Sequence, residues 1–129
     1  MPRTPSSQPT EVELQILRIL WRNAPATARE IHNRLAEVRN TNYSTTVKML
    51  SVMLEKSLVR RDDTVRPQVF RSAATQERTQ QRMLKDLIQK DYDGSAGSLV
   101  LQALASQKAS PQELAEIRRV LEDLGKGGQ

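Results

Sequence analysis

The sequence predicts a mainly α-helical chain carrying one small β-hairpin near its middle, and three observations predict it. Along most of the chain the apolar residues recur at three-four spacing, the mark of helices with one buried stripe. Only between Arg60 and Ser72 does the period shorten toward alternation, the mark of strands. Finally, 37% of the 129 residues are hydrophobic, 27% are charged and only four are aromatic. That composition fits a folded helical protein and is too poor in aromatics for a base-stacking platform.

Taken in order, residues 1–9 are rich in Pro and Ser and are expected to be a disordered tail. Thr10 with Glu13 forms a capping box that opens the first helix, whose apolar stripe is expected at Leu14, Leu17, Leu20 and Trp21. Asn23-Ala24-Pro25 ends it. Thr27 with Glu30 caps a short second helix that places Ile31 and Leu35 on one face, and Arg39 to Asn42 form a polar turn. The third helix follows Tyr43, with Thr46, Met49, Leu50 and Met53 facing inward. A strand over Arg60–Asp62, a turn over Asp63–Pro67 and a returning strand over Gln68–Ser72 complete a hairpin. Since an isolated hairpin is marginal in water, it must pack on the helices through Leu58, Val59, Val69 and Phe70. Three helices followed by a hairpin make a winged helix-turn-helix over residues 10–74.

Residues 75–124 read as three more helices. The first, ending near Asp93-Gly94, carries a narrow seam of Met83, Leu84, Leu87 and Ile88. The second, Gly97 to Gln107, is apolar nearly all round through Leu99, Val100 and Leu104, and is expected to be buried on several sides. The last is capped by Ser110, Pro111 and Glu113 and repeats Leu114, Ile117, Leu121 and Leu124. Three short helices cannot bury all of this within one copy, so a second chain is expected to interlock with them as a homodimerisation segment. Residues 125–129 are expected to be a flexible tail.

Charge separates the two parts. Residues 1–74 hold 12 Lys/Arg against 7 Asp/Glu, whereas residues 75–129 hold 8 of each, so the whole excess of +5 sits in the first part. A basic head joined to a neutral tail suits a polyanion at one end and protein at the other.

Within the head, the third helix has the chemistry of a DNA reader. Its amino end offers free amides and a positive dipole, with hydroxyls from Ser44 and Thr45 and a charge from Lys48 one turn later. Val47, Ser51 and Val52 share the outward face, and outward valines suit thymine methyl groups. Arg60, Arg61 and Arg66 on the hairpin, and Arg29 at the start of the second helix, are expected to reach the flanking phosphates. The plainer reading of Ser44 and Thr45 is that they only cap the helix.

These motifs together resemble the penicillinase-repressor group of bacterial transcriptional regulators, which includes the BlaI, MecI and CopY proteins. TEVELQILRILW, TAREIHNRL and YSTTVKMLSVMLEKSLVRR are similar to that group's first, second and third helices with the first wing strand. YDGSAGSLVLQAL and SPQELAEIRRVLEDL are similar to its dimerisation segment. The resemblance implies a homodimer that represses transcription from a palindromic operator; a cytoplasmic location is expected from the lack of a signal peptide or membrane span, and no cofactor or metal is expected. In the antibiotic-resistance members a membrane sensor protease cuts the dimerisation segment at an asparagine-phenylalanine bond. The matching position here is Gln102-Ala103, a departure. The copper-responsive members use carboxy-terminal cysteines, and this chain has none. Val52 stands where the group has an arginine, implying a different operator, and Ser57 stands where it has glycine before the wing, implying up to about 1 kcal/mol of strain.

Other functions are poorly served. The absence of cysteine removes disulfides and thiolate sites, and His32, the sole histidine, has no partner set for catalysis and is expected to be exposed on the second helix. There is no glycine-rich phosphate loop, and no apolar run approaches the roughly 18 residues of a membrane span. Asp62-Asp63 is expected to shape the wing turn. The chief alternative is a winged helix that docks on protein without reading DNA. A double-stranded RNA binder is less suited, because a recognition helix fits poorly into the deep A-form groove.

Overall fold

The computed structural model describes residues 8–127. The element order is α1 (Glu11–Asn23), β1 (Ala26–Thr27), α2 (Ala28–Ala36), α3 (Tyr43–Glu55), β2 (Val59–Asp62), β3 (Val69–Ser72), α4 (Gln76–Asp91), α5 (Ala96–Ser106) and α6 (Pro111–Gly127). The fold is therefore the expected one, mainly helical with a small antiparallel sheet as its wing.

Two capping boxes start the first two helices as the sequence requires. Thr10 accepts from the Glu13 amide while Glu13 accepts from the Thr10 amide, and Thr27 and Glu30 repeat the exchange. The core comprises Ile16, Leu17 and Leu20 from α1, Ile31 and Leu35 from α2, Leu50 and Met53 from α3, with Ala26, Val59 and Phe70 from the sheet. The α1 stripe thus runs through Ile16 in place of Leu14, which is only half-buried, as is Trp21. Trp21 lies half-in because its indole N–H donates to the Ala74 carbonyl at 3.1 Å.

The wing is larger than a hairpin. β1, two residues long, pairs with β3 through Ala26 opposite Phe70 and Thr27 opposite Val69, giving the strand order β1-β3-β2. β2 pairs with the other edge of β3, with Arg60 opposite Arg71 and Arg61 opposite Phe70. Because side chains alternate along a strand, Val59 and Arg61 share the face of Phe70, whereas Arg60 shares the opposite face with Arg71. At the tip, Asp62 accepts from the Thr64 amide and hydroxyl, as the turn reading expected.

α3 ends in a turn that closes two bonds back onto the helix. The Ser57 amide donates to Leu54 and the Leu58 amide to Met53, a Schellman pattern that needs a left-handed residue at Ser57. Ser57 supplies it at φ 61°. Next to it, Lys56 donates to Glu13 at 2.6 Å, tying the end of α3 to the start of α1, with both side chains nearly buried. Burial alone would raise the Glu13 carboxyl, but the Lys56 hydrogen bond, the Thr10 amide and the Lys56 charge outweigh it and hold the group below its ordinary value.

The chain divides into two compact units after Leu84, inside α4 and beyond the expected boundary at residue 74. The first turns of α4 belong with the winged helix because they bring Thr79 to a buried position there. In the second unit, α5 and α6 hold no buried residue. Leu101 is 72% exposed, Leu121 58% and Leu124 65%. The expectation that α5 is enclosed on several sides is not met within one chain, for its apolar residues have no covering element. Gln102 and Ala103 are exposed in the middle of that helix. The expected carboxy-terminal tail is helical through Gly127, and residues 128–129 lie outside the described part. Of the expected amino-terminal tail, residues 1–7 lie outside it, while Gln8 accepts a hydrogen bond from Lys56 through its carbonyl.

Candidate nucleic-acid interface

α3 presents to solvent the side chains the sequence singled out. Ser44, Val47, Lys48, Ser51 and Val52 are exposed and Thr45 is half-buried, while Thr46, Leu50 and Met53 fill the core beneath them. Asn42 is the residue that caps the helix. Its side-chain oxygen accepts from the Thr45 amide and from the Ser44 hydroxyl, each at 2.9 Å. Neither the Thr45 hydroxyl nor the Lys48 ammonium has a partner among the described residues, so both face outward uncommitted.

A groove of about 320 Å³ runs along this helix. One bank is the start of α2, with Thr27 and Arg29, and the other is the wing, with Arg61, Pro67 and Gln68. Tyr43, Val47 and Ser51 form part of its floor. The guanidinium of Arg29 lies 3.8 Å from the centre of the Tyr43 ring, a cation-π contact that fixes it at the mouth. Arg61 sits on the opposite bank in an ion pair with Asp63 at 2.7 Å. Both of those side chains are largely exposed, so the pair is weak and a phosphate can displace the carboxylate.

Among the sequence candidates, the structure gathers Arg29, Val47, Ser51 and Arg61 on one groove, with Ser44, Thr45, Lys48 and Val52 on the adjoining helix face. It does not gather Arg60, which strand alternation turns to the other side of the wing, nor Arg66, which is exposed in the turn between β2 and β3. His32 needs correcting. It is half-buried, not exposed, because Nδ1 lies 2.9 Å from the Thr46 hydroxyl and its ring meets Tyr43 edge to face at 5.7 Å. No local pattern in the sequence signals this contact, which joins residues of different helices; Tyr43, Gln68 and Thr27 were likewise passed over as groove residues.

No group of three or more His, Cys, Asp or Glu among the described residues could hold a metal ion, and no helix among them is long and apolar enough to cross a membrane.

The chain is similar to several known proteins. A penicillinase repressor of Staphylococcus aureus is 21% identical over 114 residues, which span 88% of this chain and 90% of that protein. A penicillinase repressor of Bacillus licheniformis is 20% identical over 116 residues, 90% of this chain and 91% of that one. Among solved structures, a MarR family protein from Bacillus stearothermophilus superposes with a TM-score of 0.45 at 20% identity, covering 98% of this chain and 76% of that chain. Staphylococcus aureus MarR in complex with salicylate and kanamycin does so at 0.42, with 86% and 67% covered. The family model described as penicillinase repressor matches residues 9–123, nearly the whole of the winged helix and the helices that follow it in the chain. The chain therefore belongs to the penicillinase repressor family, and is a DNA-binding transcriptional regulator, not an enzyme.

Proposed function

We propose that this chain is a sequence-specific repressor that acts in the cytoplasm as a homodimer on a palindromic operator in double-stranded DNA. The observation that carries the reading is the α3 face of Ser44, Thr45, Val47, Lys48, Ser51 and Val52, flanked by the opposed guanidiniums of Arg29 and Arg61. An exposed helix of this width enters a major groove, and cations on either bank of a trough match the phosphate ridges beside it. Lys48, Thr45 and the valines then meet base edges and thymine methyls, while Arg29 and Arg61 set register and orientation. Arg66, exposed in the turn between β2 and β3, reaches the flanking phosphate backbone. Met83, Leu84, Leu87 and Ile88 on α4, with Leu99, Val100 and Leu104 on α5 and Leu114, Ile117, Leu121 and Leu124 on α6, pair the two copies. Two heads held in this way contact half-sites about 34 Å apart or a multiple of that.

The experiment is selection of bound fragments from the source genome, followed by titration of the selected duplex by fluorescence anisotropy at several salt concentrations. Arg29→Ala with Arg61→Ala should weaken binding to every sequence and lower the salt slope by about two. Thr45→Ala with Lys48→Ala should instead narrow the gap between selected and random duplexes. An unchanged slope in the arginine variant defeats the groove assignment, and a head that binds no duplex at low salt turns the reading toward protein docking.

A further inference from the structure

His32 is the sole histidine of the chain, and the α2–α3 seam holds its ring next to the groove without giving it a counter-ion. We propose that His32 is a further phosphate-binding residue of the nucleic-acid interface, one that meets the backbone as imidazolium, so that duplex binding takes up a proton and tightens as the pH falls through the neutral range. The proposal rests on the DNA reading above and adds a pH dependence to it.

His32 follows Arg29 by three residues, so the two side chains are neighbours on one face of α2. Both touch the ring of Tyr43: the guanidinium lies 3.8 Å from its centre, and the imidazole meets it edge to face at 5.7 Å. Since Arg29 and Tyr43 line the groove along α3, the imidazole stands next to the bank where a phosphate ridge is expected. The hydrogen bonds at the seam suit the charged ring. Thr46 is sealed in the core, and its hydroxyl lies 2.9 Å from Nδ1 and 3.4 Å from the Asn42 carbonyl. An Nδ1 without hydrogen accepts from that hydroxyl. An imidazolium donates to it instead, and the hydroxyl proton turns to the carbonyl, so charging the ring breaks no contact. Nε2 has no partner among the described residues and is not sealed from solvent, which leaves it free to donate outward.

The charges around the ring decide what that donor meets. On α2 they are Arg29 and Glu30, whose carboxylate accepts from the Thr27 amide. On α3 they are Tyr43 and the outward Lys48, and Arg61 of the wing stands on the opposite bank of the groove. From α1, Arg18 and Arg22 meet α2 at Arg34 and Glu37, farther along the helix. No carboxylate among the described residues pairs with the imidazole, so the anion for its charged form comes from outside. Backbone phosphates supply one, and a base that gains an anion only in the complex holds a proton more firmly there. Histidine is the side chain whose ordinary titration lies between about pH 5 and 8, which puts this exchange in the neutral range.

The test uses the full chain and the selected duplex, with anisotropy at constant ionic strength and calorimetry in two buffers of unlike ionisation heat. Affinity should rise severalfold from about pH 8 to about pH 6, and the salt slope should steepen by about one for each chain bound, the mark of one added phosphate contact. The calorimetry should show net proton uptake on binding near neutral pH. His32→Gln keeps an amide for the Thr46 hydroxyl and should bind like the parent at about pH 8, with no rise, no steepening and no uptake. Should that variant lose helicity, the parent decides alone: the imidazole signals of its sole histidine in proton NMR should move toward those of the charged ring when duplex is added at about pH 7. An affinity flat across this range, the same rise in a folded His32→Gln, or imidazole signals unmoved by duplex overturns the proposal and leaves the DNA reading standing. A chain that binds no duplex at either pH removes both.

Discussion

The two units of this chain use similar apolar content in opposite ways. In the first, three helices and a three-stranded sheet close on each other and Ile16, Leu20, Ile31, Leu35 and Met53 are sealed from water. In the second, α5 and α6 expose Leu101, Val120, Leu121 and Leu124, and no residue of either helix is buried. The difference teaches that amphipathic periodicity states how much surface must be covered but not by which chain. The head satisfies its stripes internally because strand pairing and capping fold three helices back over one another. The second unit, made of successive helices, leaves these residues exposed within one chain, and under the function proposed above a second copy covers them.

Truncation mutants should break the contrast most strongly. Leu20→Ala opens a cavity in the sealed core and should cost about 3 to 4 kcal/mol, read as a lower urea midpoint of the head. Leu124→Ala removes the same group from an exposed helix and should leave that midpoint unchanged. Charges sharpen the point, since Leu101→Glu with Leu121→Glu should weaken self-association by about 100-fold in sedimentation while the head melts as before. If the charged variant remains a dimer at low concentration, α5 and α6 are not the joint.

The next effect concerns the tie between α1 and α3. Glu13 has a folded pKa below its ordinary value, so it binds fewer protons folded than unfolded, and its contribution is fully present above that ordinary value of 4.5 and lost as the pH falls through the lowered one. Glu13→Gln keeps an acceptor for the Thr10 amide but leaves Lys56 unbalanced at a nearly buried site. It should cost about 2 kcal/mol at neutral pH and make stability fall less steeply below pH 4.5 than in the parent. Glu30, Asp62 and Glu113 are lowered as well, so the difference between the two acid limbs, not either limb alone, isolates this carboxylate.

Much of the head was legible because its signals are local. Both capping boxes, the polar turn before α3, the inward set of Thr46, Leu50 and Met53, and the Asp62 turn follow from residues a few positions apart. What escaped depends on distant pairing. Ala26 and Thr27 are a strand only because β3 lies beside them, and two residues carry no period of their own. His32 is drawn inward by Thr46, and Arg29 is fixed by Tyr43, contacts made across the α2–α3 seam. The arginine pair on β2 was legible in principle, since alternation alone separates Arg60 from Arg61, but only once the register was known did each acquire a face.

The smallest effect lies at the corner where reading helix meets wing. Ser57 adopts φ 61°, and both Schellman bonds depend on it. A side chain there crowds its own carbonyl at a cost of roughly 1 kcal/mol, which glycine avoids. Ser57→Gly should therefore stabilise the head by about 0.5 to 1 kcal/mol in denaturant melts, against a small loss from the greater freedom of the unfolded chain. The sign separates two accounts of the corner. A gain means that the turn geometry is fixed by its hydrogen bonds and serine merely tolerates it, whereas a loss means that the serine side chain contributes to holding α3 against β2.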